Sequence, residues 1–96
     1  QDFDPSRAAL IVVPSAGGAW VLLTGTGVHL DGKNLRVRAT TATGDVVLGE
    51  APEARHGGLI PGKIQAVFLE QRVGEGDEAK WVTAPGSRAT WKPSTP

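Results

Sequence analysis

The sequence predicts an all-β domain: a small antiparallel β-sandwich, with a small β-barrel as the alternative. Three observations lead there. Thirteen Gly and seven Pro are spread through 96 residues, which leaves amphipathic helices little uninterrupted length. Short runs rich in β-favouring residues recur between turn residues. Those turns come often enough to give about seven or eight strands, the spacing of a sandwich or small barrel.

The elements follow in order. "AALIVV" (Ala8–Val13) is an apolar run expected to stop at Pro14, and "PSAGG" (Pro14–Gly18) is a turn. "WVLLT" (Trp20–Thr24) is a second strand, broken by Gly25 and Gly27 and resuming as "VHL" (Val28–Leu30) after a bend. "DGKN" (Asp31–Asn34) is a strong turn, because Asp-Gly supplies the positive φ that tight turns need. "LRVRATT" (Leu35–Thr41) is the clearest strand: Leu35, Val37 and Ala39 alternate with Arg36, Arg38 and Thr40.

"TGD" (Thr43–Asp45) turns the chain into "VVLGE" (Val46–Glu50). Residues 51–62 read as a long loop with a short pairing at Leu59–Ile60. "KIQAVFLEQRV" (Lys63–Val73) is the longest strand, since its β-branched content and flanking glycines outweigh a helical spacing of Ile64, Val67 and Phe68. "GEGDEA" (Gly74–Ala79) is a polar turn. "KWVTA" (Lys80–Ala84) and "RATWK" (Arg88–Lys92) are strands joined by "PGS" as a hairpin. The expected core is Leu10, Val12, Leu22, Val37, Val47, Ile64, Val67, Phe68 and Val82.

The length allows one domain with a modest core. Residues 1–7 read as a polar leader, 8–92 as the β domain, and 93–96 as a tail or linker. The chain begins at Gln1 and contains no Met, so it is expected to be a mature exported protein or an excised domain; "QDFDPSRA", like a segment following a cleavage site, favours the former.

Cysteine is absent, which excludes disulfides, a thiolate nucleophile and zinc–thiolate or iron–sulfur sites. Ten Lys and Arg balance ten Asp and Glu, and the balance holds in each half. Such a chain has no basic stripe for nucleic acid or an anionic membrane. Its longest apolar runs fall far short of the ~20 residues a membrane-spanning helix needs.

"GGLIPGK" (Gly57–Lys63) has the Gly-x4-Gly-Lys spacing of a phosphate-binding loop. The reading fails on chemistry. Ile64 stands where a Ser or Thr would bind Mg²⁺, Pro61 removes an amide, and the following segment reads as a strand rather than a helix. "HGG" (His56–Gly58) resembles an oxyanion loop, but no Gly-x-Ser-x-Gly elbow accompanies it. His29 and His56, with Asp31 or Glu53, make a weak metal set. Glu75, Asp77 and Glu78 do not follow the spacing of a calcium loop, and read as a solvated hairpin tip.

Trp20, Trp81 and Trp91 are three of the five aromatics. Either Trp20 fills the core and Trp81 and Trp91 cover its ends, or Trp81 and Trp91, side by side across the expected hairpin, form a platform for a sugar ring or a partner. Arg36 and Arg38, outward on one strand, make either a plain solvated face or a small partner-binding patch.

The strand-rich, glycine-rich pattern resembles bacterial immunoglobulin-like and fibronectin-like modules. It lacks the paired Cys and core Trp of antibody domains, and the resemblance implies a fold but no site. The function expected is therefore non-catalytic: an interaction or accessory module of an exported bacterial protein, periplasmic or secreted, with a protein partner or larger assembly and no cofactor. Exposed sheet edges would offer strand addition to that partner. The alternative is a carbohydrate-binding module that uses its tryptophans. The candidate binding residues are Trp81, Trp91, Arg36, Arg38 and His56, with no catalytic or metal set.

Overall fold

A computed structural model describes residues 8–25, 27–86 and 89–93. The leader expected over 1–7, the tail beyond Pro93, and Ser87 and Arg88 of the expected final hairpin lie outside the described residues. Among the described residues there are eight strands: β1 (Ala9–Ser15), β2 (Gly18–Thr24), β3 (Leu35–Thr41), β4 (Gly44–Leu48), β5 (Gly57–Pro61), β6 (Ile64–Val73), β7 (Lys80–Thr83) and β8 (Thr90–Trp91). Short 3₁₀ turns occupy Pro52–Ala54 and Gly76–Glu78. No described helix is long and apolar enough to cross a membrane.

Two antiparallel sheets pack face to face. One has the order β1-β2-β5; the other has the order β4-β3-β6-β7, with β8 also on β6. Hairpins join β1 to β2, β3 to β4, and β6 to β7. The remaining links up to β6 cross between the sheets. β1 comes beside β8 and β4 beside β5, but neither pair joins its hydrogen-bond ladders. The molecule is thus a sandwich and not a closed barrel.

The core forms where strand alternation points two apolar rows at each other. Val21 and Leu23 of β2, with Leu10 and Ile60, meet Leu35, Val37 and Ala39 of β3 and Val67 and Leu69 of β6. Val28 and Leu30 also bury their side chains here, from irregular chain rather than the resumed strand expected at 28–30. The "DGKN" turn joins strands of different sheets. It is held by Asp31, whose Oδ1 accepts the backbone N–H groups of Lys33, Asn34 and Leu35 at 2.7–3.1 Å.

Several expectations are corrected. β1 does not stop at Pro14 but runs through it, which an edge strand allows because Pro lacks only a donor. The expected loop over 51–62 is a loop only to His56, because Gly57–Pro61 is β5, paired along its length with β2. Glycine conceals this strand in the sequence, yet the sheet depends on it. At Gly57 φ is 121°, and a Cβ would sit 2.0 Å from the Val21 carbonyl oxygen. Only Gly lets β5 approach so closely.

The core list also changes. Leu10, Val37 and Val67 are buried, and Val12 and Ile64 pack against the core. Leu22 and Val82 are exposed. Val47 and Phe68 face outward because both pair with Arg38, and cross-strand partners share a face. Trp20 is not in the core. The inward row of β2 is Ala19, Val21 and Leu23, and small Ala19 fits against Ile60 where an indole would not.

Candidate functional site

The outer faces of the two sheets differ sharply. On the β4-β3-β6-β7 sheet, the outward row of β3 carries Arg36 and Arg38, and that of β6 carries Phe68, Glu70 and Arg72. Glu70 lies between the arginines. Its Oε1 accepts from Arg36 Nε and its Oε2 from Arg38 Nε, both at 2.9 Å. Its side chain is only 6% exposed because the two guanidiniums cover it.

Aromatic rings support the cations. Arg36 Cζ lies 4.2 Å from the Trp81 ring centre and Arg38 Cζ lies 4.8 Å from that of Phe68. Both distances are those of cation–π stacking. Arg38 also reaches Asp45 through Nη1 at 3.3 Å. The hydrogen bond to Glu70, partly opposed by desolvation, pushes the Arg38 pKa up, with Asp45 adding to the rise. Three expected site residues (Arg36, Arg38 and Trp81) therefore meet on one face. The reading missed Glu70, the group that organises them, because 34 and 32 residues separate it from its partners.

Trp91 does not join them. β7 and β8 form no hairpin; both lie on the same edge of β6, where Trp81 pairs with Arg72 and Trp91 with Val67. Five positions along β6 separate the two partners, so the rings are roughly 16 Å apart along the strand. Odd separation also turns them to opposite faces. Trp91 packs against the core and, with Pro14, Lys63, Ile64 and Pro93, lines an open groove of about 870 Å³ at one end of the sandwich. The side-by-side Trp81–Trp91 platform is not formed.

His56 is exposed in the turn before β5, with its carbonyl accepting the Leu23 N–H at 2.9 Å. His29 borders a different hollow, of about 380 Å³, beside Asp31, Glu50 and Arg55. Among the described residues, no three His, Asp or Glu side chains converge on a metal-sized site.

"GGLIPGK" becomes β5 and the two-residue crossover Gly62–Lys63. The Gly62 N–H donates to the Gly17 carbonyl in the β1–β2 turn, and the Lys63 carbonyl accepts the Ala42 N–H in the β3–β4 turn. The motif stitches the sheets together at that end. A strand follows it, so no helix N-terminus is there to hold a phosphate.

The β1-β2-β5 sheet presents a face the sequence reading did not identify. Ile11 and Val13 of β1, Trp20 and Leu22 of β2, and Leu59 of β5 point outward, each 42–50% exposed. Ile11 pairs with Leu22, and Val13, Trp20 and Leu59 form one row across three strands. The other outward positions along these strands are Ala9, Ser15, Gly18, Thr24, Gly57 and Pro61. Among the described residues, none on these outward strand positions is charged. The signal was present in the sequence: "LIVV" and "WVLL" are apolar at both parities. Such strands are covered on both sides or leave an apolar face open, and among the described residues no third layer covers this one.

No family model matches the chain, and neither a curated protein nor a solved structure is matched by it.

Proposed function

We propose that the chain is a non-catalytic interaction module, of the immunoglobulin-like or fibronectin-like kind, which docks through the uncharged outer face of β1-β2-β5. The observation that carries this is the contiguous apolar row Val13–Trp20–Leu59 with Ile11 and Leu22 beside it, all solvent-facing. Apolar patches of this kind mark sites of association. The strand order supports the module class. With strands lettered along the chain, A-B-E faces C′-C-F-G, and β4 pairs with β3 rather than with β5.

Energetics supports an accessory role. Covering the exposed halves of five apolar side chains is worth about 5 kcal/mol. Free association costs a similar amount or more. The face is therefore suited to a partner held nearby in the same protein or assembly, where a high effective concentration reduces that cost.

A photo-crosslinking amino acid placed at Leu22 or Leu59 in the native host tests this. Heterologous cross-links to one protein from these positions, absent when the probe sits at Thr40 or Thr83 on the other sheet, are the expected result. Equal labelling from both sheets, homodimer products alone, or no product overturns it.

A further inference from the structure

The edges of the two sheets are not alike. In an antiparallel strand alternate residues turn both backbone groups to one neighbour, and those between turn them the other way. The Leu23 N–H bonds the His56 carbonyl, so the odd-numbered residues of β2 bond β5 and the even-numbered ones bond β1. The residues facing away from the sheet are then Leu10, Val12 and Pro14 on β1, and Gly57, Leu59 and Pro61 on β5. Both strands carry a proline where an outward N–H would stand. On β7, bonded to β6 through Lys80 and Val82, Trp81 and Thr83 face outward and Pro85 follows in the same phase. A proline so placed guards an edge against an added strand, and β8 is blunted by its shortness.

β4 has no such guard. The Arg72 N–H bonds the Asn34 carbonyl, which sends the even-numbered residues of β3 to β6 and the odd-numbered ones to β4. Gly44, Val46 and Leu48 answer the latter, and Asp45 and Val47 face away. Among the described residues, no backbone hydrogen bond from another element reaches those two on their open side. The Asp45 carboxylate does not bar the edge, because Arg38 draws it toward β3 at 3.3 Å. The inner margin beside β4 is also incomplete. Val46 and Leu48 point inward but are only half-buried. Across from them on β5, a Cβ at Gly58 would meet nothing nearer than the Leu48 side chain at 3.6 Å. At the other margin, where β1 comes beside β8, Trp91 packs against the core.

We propose that β4 is the strand-addition edge of the domain, and that it pairs with an extended segment of a partner protein whose alternate residues are apolar. Asp45 and Val47 each offer that segment one backbone donor and one acceptor. Groups presented at this repeat are met by another strand and not by a helix, whose own are used internally. The inward side chains of the segment cover the exposed parts of Val46 and Leu48, where a charged group would be buried without a partner.

The test is a titration of the ¹⁵N-labelled chain with a blocked Lys-Thr-Val-Thr-Val-Thr-Lys peptide, following backbone amide shifts and hydrogen exchange. Saturable shifts and slowed exchange at Asp45 and Val47, with Leu10, Leu59 and Trp81 unaffected, are expected. Val47→Pro removes an outward N–H that the β3 ladder does not use, and should weaken binding about ten-fold. The same peptide with every central amide N-methylated should not bind the parent chain, a comparison that needs no variant to fold. Trp20→Ser on the apolar face should leave binding unchanged, which separates failure here from failure of that face. No shift at millimolar peptide, an equal effect at Leu10, Leu59 or Trp81, an unaffected Val47→Pro variant, or binding of the N-methylated peptide overturns the proposal. So does pairing of β4 with a second copy, seen as shifts at Asp45 and Val47 that follow protein concentration alone.

Discussion

Arg36 and Trp81 lie on strands that are not neighbours, yet the guanidinium carbon of one sits 4.2 Å from the ring centre of the other. The arginine reaches across β6, and Glu70 beneath it fixes the span at 2.9 Å. Three strands are thereby tied on their outer side by side chains alone.

Glu70 should therefore matter more than either contact it makes. Glu70→Ala leaves two partly covered guanidiniums without their shared carboxylate and should cost about 2–3 kcal/mol. Trp81→Ala removes ring support from one of them. A double-mutant cycle between Arg36 and Trp81 should return a coupling of about 0.5–1 kcal/mol. Urea unfolding of the variants measures both.

Leu22 and Leu23 are adjacent in sequence and opposite in environment: 42% and 4% exposed. Leu23→Ala should cost about 2–4 kcal/mol through lost burial and a cavity. Leu22→Ala should stay within about 1 kcal/mol of the parent. A reversed order of the two urea midpoints would falsify the assignment of the β2 faces.

That pair also marks where the sequence is legible. "LRVRATT" could be read to the residue because arginines occupy one parity, and a charged side chain selects the solvent side. "WVLL" has no such marker. Its facing was decided by volume, with Ala19 the side chain small enough for the inner position. β5 was obscured for a different reason: two glycines and a proline in five residues depress every strand signal, while the close approach to β2 requires one of those glycines. The paired tryptophans were misplaced because "PGS" reads as a hairpin turn. The flanking strands instead share β6, a pairing across the chain that local pattern does not encode. Arg36 and Arg38 were legible as outward residues, but their carboxylate on a distant strand was not.

Gly57 combines a left-handed backbone with a neighbouring carbonyl where a Cβ would go. Gly57→Ala should destabilise the chain by about 3 kcal/mol, far beyond the usual effect of a half-buried site. Thermal melting of the variant reads this directly. A melting point within a degree or two of the parent would contradict the close packing of β5 on β2.

Asp31 gives the domain an acid-sensitive point. Burial works to raise its pKa, but hydrogen bonds from Asn34, Lys33 and Leu35 together outweigh it and hold the carboxyl below its ordinary value of 3.8. A carboxyl depressed in the folded state contributes stability that is fully present above the unfolded value and lost as pH falls through the folded one. The urea midpoint of the parent should therefore exceed that of Asp31→Asn at neutral pH, by about 1 kcal/mol in stability. The gap should close as pH falls below about 4. A gap independent of pH would show that the amide and the carboxylate serve the turn equally.

Leu69 binds the chain twice on the β7–β8 edge: its carbonyl accepts the Ala84 N–H at 2.8 Å and its N–H donates to the Ala89 carbonyl at 2.7 Å. One backbone unit of β6 therefore receives the chain as it leaves β7 and again just before β8, so a Leu69→Pro substitution, by removing the donor to Ala89, would release the β8 side of that edge while leaving the carbonyl contact to Ala84 in place.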